Sequence, residues 1–207
     1  GEFHLISNKD IFQTFEIDSR GYVWLAADLD LYKLSLSDWG KIESVHFDTL
    51  ENRKVRITKI MEAKDGTVYV STIGNGVFSY NYDTGKWEHY TAEQNSLLSN
   101  FCYNLAESPL NNILITNDKG ISIYSPFSHS MYSVELGAIK GKISAVADGG
   151  GICVADDDMV YIGGVDGVIS FREKDLYIND ESDTSELYFV SLFVNNVKVC
   201  PGDTQHV

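Results

Sequence analysis

Four things are scarce in this sequence, and each scarcity bounds what the chain can be. Proline occurs 3 times in 207 residues, while 43% of the chain is hydrophobic and 12% aromatic; a disordered or polyproline chain would show the reverse balance. Long apolar runs are missing too. The longest, Tyr188 to Val194, is strand-length and interrupted by Ser191, far short of the ~18 residues that a membrane helix needs. The opening Gly1-Glu2-Phe3 shows no charged n-region or apolar h-region, so no signal peptide is read in this segment. Positive charge is the third scarcity. Sixteen basic residues against thirty acidic ones leave a net charge of −14, which repels phosphate backbones, so no nucleic-acid partner is expected. The acidity is read as a solubilising surface. Cysteine is sparse as well. Cys102, Cys153 and Cys200 are odd in number and widely spaced, without a C-x-x-C pair. Cys102 and Cys153 lie in apolar strand contexts and are read as buried small hydrophobes.

What the chain does have is an internal period. Val23-Trp24-Leu25, Val68-Tyr69-Val70, Ile113-Leu114-Ile115 and Val160-Tyr161-Ile162 follow one another at offsets of 45, 45 and 47 residues. Each triplet is β-branched, aliphatic or aromatic, as a buried strand requires. A small or polar pair follows each: Ala26-Ala27, Ser71-Thr72, Thr116-Asn117 and Gly163-Gly164. Turn residues precede each triplet, at Ser19-Arg20-Gly21, Lys64-Asp65-Gly66, Asn111-Asn112 and Asp157-Asp158. A second turn ends in Gly76, Gly120 and Gly167, whereas the first copy lacks that glycine. More polar fourth strands are expected at 41–47, 86–90 and 130–134. Four antiparallel strands repeated at this period predict an all-β fold of about four β-propeller blades. A β-sandwich would not repeat one turn and triplet at near-constant offset.

The repeat resembles the two-component regulator propeller repeat. Ile57 to Asn81, ITKIMEAKDGTVYVSTIGNGVFSYN, carries its strand, Asp-Gly turn and G-x-G-V-F outline, and Gly21-Tyr22-Val23-Trp24 its turn-and-tryptophan signature. Ser7-Asn8 and Ser99-Asn100 resemble the Ser-Asn that opens a blade in that family. VYIGGVDGVISF resembles the form usual in its final blade, and Leu187 to Asn196 the opening of the β-sandwich domain that follows, with Asn195-Asn196 as hairpin turn. The resemblance implies blades over 1–180, part of a larger propeller, then a linker and the opening strands of a truncated sandwich over 181–207. It further implies the periplasmic part of a membrane-spanning hybrid sensor histidine kinase that senses carbohydrate and controls genes. An oligosaccharide ligand belongs to that picture, with membrane contact only through parent segments outside this chain. Exposed sheet edges at both ends make self-association an expectation.

Candidate chemistry is thin. A sialidase-type Asp box, S-x-D-x-G-x-T-W, would need Asp and Ser where the first repeat has Ser19 and Ile17, and no paired carboxylates recur. Gly137-x-x-x-Gly141-Lys142 is one residue short of a phosphate loop and Ile143 replaces its Ser/Thr. Gly149 to Gly151 reads as a turn. Asp156-Asp157-Asp158 lacks calcium-loop spacing. His4, His46, His89, His129 and His206 show no ligand spacing, and His46 and His89 are placed on the polar outer strand, at the surface. Trp24, Tyr69, Tyr32, Phe78 and Tyr124 are read as equivalent packing positions. Trp39, Tyr82, Trp87, Tyr103 and Tyr132 are the aromatics open to sugar stacking. No catalytic residue, metal ligand or cofactor is predicted, and no ligand-binding residue is assigned. Two other functions stand beside the sensor: a generic propeller that binds protein partners, and a propeller glycoside hydrolase.

Overall fold

The computed structural model describes residues 12–27, 29–47, 55–135, 151–165 and 167–176, and the backbone of 192–194 and 197–199. The chain is an all-β array of propeller blades. Blade 1 is the antiparallel meander β1 (Phe12–Ile17), β2 (Tyr22–Ala27), β3 (Asp30–Ser35), β4 (Asp38–Val45). Blade 2 is β5 (Arg56–Glu62), β6 (Val68–Ile73), β7 (Val77–Asn81), β8 (Lys86–Tyr90). A single capped turn, α1 (Ala92–Asn95), leads into blade 3: β9 (Cys102–Glu107), β10 (Ile113–Asn117), β11 (Gly120–Ser125), β12 (Ser130–Glu135). Blade 4 has three described strands, β13 (Ile152–Val154), β14 (Met159–Gly164) and β15 (Gly167–Arg172). These blades lie in one compact unit that ends at Asp175. The second unit, from Leu176, contains the hairpin β16 (Leu192–Val194) and β17 (Val197–Val199), paired Val194 to Val197. The expected turn at Asn195-Asn196 lies outside the described residues, as does Leu187 to Ser191.

The repeated triplets are the second strands of the blades; those of blades 1 to 3 are buried throughout, whereas in blade 4 Val160 and Ile162 are buried and Tyr161 is exposed. The core therefore sits between blades. Trp24, Ala26 and Leu31 of blade 1 pack on Ile57, Ile60, Val68, Val70 and Phe78 of blade 2. Ala63, Tyr69 and Val77 of blade 2 pack on Cys102, Leu105, Ile113 and Ile115 of blade 3.

Polar links repeat with the same period. Ser19 at the first turn of blade 1 donates from N and Oγ to the Glu62 carboxylate of blade 2, both at 2.7 Å. One repeat later Lys64 N donates to Glu107 of blade 3 at 2.8 Å. Pro109 takes the equivalent place in blade 3 and has no N–H to give, and the strand position that holds a glutamate in blades 2 and 3 is Val154 in blade 4. The Ser-Asn before blade 3 also has a physical role. The Asn100 carbonyl accepts from Gly74 N and Gly76 N at 2.9 and 3.0 Å, tying the second turn of blade 2 to the start of blade 3.

Four expectations need correction. Cys153 is exposed, since β13 shows solvent one of its two faces; Cys102 is buried, and burial pushes its thiol up to about 12. His89 is half-buried, because its ring lies flat on Phe78 at 4.1 Å and its Nε2 pairs with the Asn75 carbonyl at 2.7 Å. Tyr124 pairs with Ile113, the place Tyr80 takes opposite Val68, so it is not equivalent to Phe78, which pairs with Val70. The fourth strand of blade 1 starts at Asp38. The cysteine result is testable with Ellman's reagent on Cys200→Ser protein. One thiol should react in the native state and the second only in denaturant; two reacting natively would overturn the assignment.

Candidate functional site

The innermost strands β1, β5 and β9 share an irregularity at one repeat position. The β1–β2 ladder shifts register between Phe12 and Thr14, the β5–β6 ladder between Ile57 and Lys59, and the β9–β10 ladder between Cys102 and Asn104, opposite Asn117 and Thr116. Gln13, Thr58 and Tyr103 are the extra residues, each one repeat from the next. A β-bulge removes a residue from the ladder and re-aims its side chain. Here the three bulges face one open cleft of about 590 Å³, lined also by Thr14, Arg56, Lys59 and Asn104.

Apolar neighbours explain why these polar groups point outward. Ile57 and Ile60 turn into the core between blades 1 and 2, and Cys102 and Leu105 into the next one. That leaves Thr58, Lys59, Tyr103 and Asn104 on the opposite side, half-buried. Thr58 is fixed, its Oγ1 donating to the Cys102 carbonyl at 2.8 Å and lying 2.9 Å from Ser71 Oγ. Arg56 is exposed. Lys59 lies near Glu16, whose carboxyl burial raises above its usual value while Lys59 pulls the other way. The cleft thus presents two cations, three hydroxyls and two carboxamides on a strongly acidic chain. It is suited to a hydroxylated or anionic ligand, and it holds no nucleophile–base pair.

Among the described aromatics named as sugar-stacking candidates, one, Tyr103, lines the cleft. Tyr82 and Trp87 are drawn into the blade 1–blade 2 joint, with ring centroids 6.3 and 6.1 Å from Trp24. There Lys33 Nζ lies 3.9 Å from the Tyr22 ring and 4.4 Å from that of Tyr82; burial lowers its pKa and Asp18 opposes the shift. Tyr132 is exposed on β12, and the side chain of Trp39 lies outside the described residues. Asp156, Asp157 and Asp158 form the β13–β14 turn, with Asp157 Oδ1 accepting from Met159 N at 3.3 Å. Among the described residues no cluster of His, Cys, Asp and Glu is arranged to hold a metal, and no helix is long and apolar enough to cross a membrane. His4, His206, Gly137, Gly141, Lys142 and Ile143 lie outside the described residues, together with Gly149 and Gly150 of the triple glycine.

Two further clefts lie between blades 2 and 3. One, about 420 Å³, contains Glu88, Tyr90, Tyr124 and His129, linked by hydrogen bonds of 2.7 to 3.2 Å. The other, about 680 Å³, is lined by Lys64, Glu107, Leu110 and Phe127, the last 98% exposed.

No protein-family profile matches the sequence. Histidine kinase P4 of Formosa agariphila is 24% identical over 184 residues, 87% of this chain. The chain spans only 13% of that protein's length. The structure is similar to the extracellular domain assigned to a hybrid two-component system of B. thetaiotaomicron, with TM-score 0.56, 14% identity, and coverage of 97% of this chain and 34% of that one. Virginiamycin B lyase from Staphylococcus aureus also reaches 0.56, at 15% identity over 82% of this chain and 58% of its own. The WD40 propeller domain of Doa1 reaches 0.54, at 13% identity over 79% of this chain and 51% of its own. Proteins as different as a lyase, a two-component system's extracellular domain and a WD40 protein share the blade, so these likenesses establish fold.

Proposed function

We propose that the chain is part of the extracytoplasmic, periplasmic sensory region of a hybrid two-component histidine kinase, that it is itself non-catalytic, and that it helps sense carbohydrate. The observation that carries this reading is the 24% identity with Histidine kinase P4 over 184 residues, 87% of this chain. The wall of bulges at Gln13, Thr58 and Tyr103 is where a hydroxylated ligand would be held, by hydrogen bonds from Gln13, Arg56, Lys59 and Asn104. Ligand binding at a wall built from three blades would bias their relative placement, and so reach the following domain and the kinase.

The reading frame beyond Val207 is the first test. A membrane-spanning helix followed by histidine-kinase motifs is the expected result, and a stop codon there would sink the proposal. Calorimetry of the parent's complete extracytoplasmic region against neutral and acidic oligosaccharides is the second. Saturable heat is expected with at least one, weakened about tenfold by the double change Gln13→Ala and Asn104→Ala, which removes hydrogen bonds worth roughly 0.5–1.5 kcal/mol each. Uniform silence would favour a partner-binding propeller instead, for which the exposed Phe127 beside the largest of these clefts is the supporting observation.

A further inference from the structure

The repeat sets a standard for how one blade is tied to the next, and the joint between blades 3 and 4 departs from it. At the end of the first strand stand Glu62 in blade 2 and Glu107 in blade 3, paired with Val68 and Ile113. Each accepts from a backbone N–H at the first turn of the preceding blade, that of Ser19 or Lys64. In blade 4 the same strand position, opposite Val160, is Val154, and the donor position in blade 3 is Pro109. Both halves of the link are missing from one joint.

A different repeat position takes over. Tyr80, Tyr124 and Phe171 hold equivalent places on the third strand, opposite Val68, Ile113 and Val160. Two residues beyond them stand Tyr82, Pro126 and Glu173. Tyr82 reaches back to the first turn of blade 1, donating its hydroxyl to Asp18. Glu173 reaches back to the first turn of blade 3, where its Oε1 accepts from Asn112 Nδ2 at 2.7 Å. Its carboxylate is 2% exposed, so a lost donor would leave buried charge behind. Glu173 also opens the 3-10 turn Glu173–Leu176, within which the first compact unit ends at Asp175.

We propose that the Asn112–Glu173 hydrogen bond is a latch that makes the 3-10 turn part of the blade 3–blade 4 joint, so that the joint and the chain leading out of the blades are held or released together. Glu62 and Glu107 lie on first strands, and opening their links loosens strands that stay within a blade. Opening Asn112–Glu173 instead frees the segment that follows the last described strand of blade 4. In the sensor reading above, this is the contact through which a displacement of blade 3 passes to the chain beyond. That role rests on the sensor reading, whereas the latch belongs to this chain alone and is tested on it.

Limited trypsin digestion reads the latch, since Lys174 is exposed within the turn. Asn112→Asp sets a second carboxylate against Glu173 at unchanged volume. It should raise the rate of cleavage after Lys174 about tenfold or more, the scale of losing a hydrogen bond to a charged group when cleavage follows the opened population. Asn112→Ala, which removes the donor and adds no charge, should act in the same direction to a smaller degree. Cleavage after Lys86, in β8, should not change in either variant. Adding Glu173→Gln to Asn112→Asp rebuilds the hydrogen bond with donor and acceptor exchanged, and should return cleavage after Lys174 most of the way to the wild-type rate. Circular dichroism checks that each variant is folded. Unchanged cleavage after Lys174 in both single variants would overturn the proposal, because the turn would be held without the latch. So would a folded exchanged pair cut as fast as Asn112→Asp, which would assign the effect to something other than this hydrogen bond.

Discussion

Asp18→Ala should destabilise the chain by about 3–5 kcal/mol, the range for removing one member of a buried charged cluster. The carboxylate is 3% exposed and serves four donors. Oδ1 accepts from Arg20 N at 3.1 Å and Tyr22 N at 2.9 Å, which holds the first turn of blade 1. Oδ2 accepts from Trp24 Nε1 at 2.8 Å and from the Tyr82 hydroxyl, which belongs to blade 2. Removing it strands two ring donors in an aromatic joint where each lost partner costs about 1–3 kcal/mol. It also leaves Lys33, enclosed by Tyr22, Trp24, Tyr80 and Tyr82, without the stronger of the two anions, Asp18 and Glu43, that support its charge. Asp18→Asn keeps the shape and the acceptor for the turn, but sets an amide N–H against the indole N–H. A smaller loss, about 2 kcal/mol, follows. Urea unfolding followed by tryptophan fluorescence measures both. Equal effects from the two variants would show that volume, not hydrogen bonding, decides the site.

The triplets, turns and period were enough to place every blade, because a strand buried on both faces needs an unbroken apolar run and a tight turn needs Gly, Asn or Asp. The β8 strand at Lys86–Tyr90 lies where its polar pattern put it. The candidate site was less legible, although its signal is present. Phe12 to Phe15, Ile57 to Ile60 and Cys102 to Leu105 are apolar pairs three residues apart where strict alternation would place them at two. The extra polar residue in each gap is the bulge, and reading it demands comparing the three copies with one another and not each with an ideal strand. What pattern could not supply was contact across blades. Tyr82 and Trp87 lie beyond the repeat's conserved-looking positions and were open to ligand stacking on sequence grounds. They are committed to Trp24, some 60 residues away in the chain. Cys153 shows the converse: its apolar neighbours suggested burial, yet it lies on a face that no described blade covers.

The second large effect is expected at the turn joining β6 to β7, where two glycines with the same backbone hand have different surroundings. Gly74 and Gly76 have φ of +89° and +71°, so alanine at either adopts a left-handed conformation costing about 1–2 kcal/mol. A Cβ on Gly74 meets nothing within 4 Å, and that cost is the whole expectation. A Cβ on Gly76 would stand 2.1 Å from the Tyr90 carbonyl oxygen and 3.3 Å from Leu97 Cδ2. Tyr90 is fixed in β8 by its pairing with Val77, and no flexible side chain can yield. The turn would have to move, and with it the Gly76 carbonyl that accepts from Thr72 N and Thr72 Oγ1, and the two amides that hold Asn100 at the entry to blade 3. Gly76→Ala should therefore cost at least about 3 kcal/mol, the scale of backbone strain combined with overpacking. For a chain of this size about 1 kcal/mol moves Tm by roughly 2–4 °C. Thermal denaturation should lower Tm by a few degrees for Gly74→Ala and by about 10 °C for Gly76→Ala. Matching shifts would mean that the left-handed backbone alone sets the cost, and that the close approach of β8 to this turn does not constrain the blade 2–blade 3 joint.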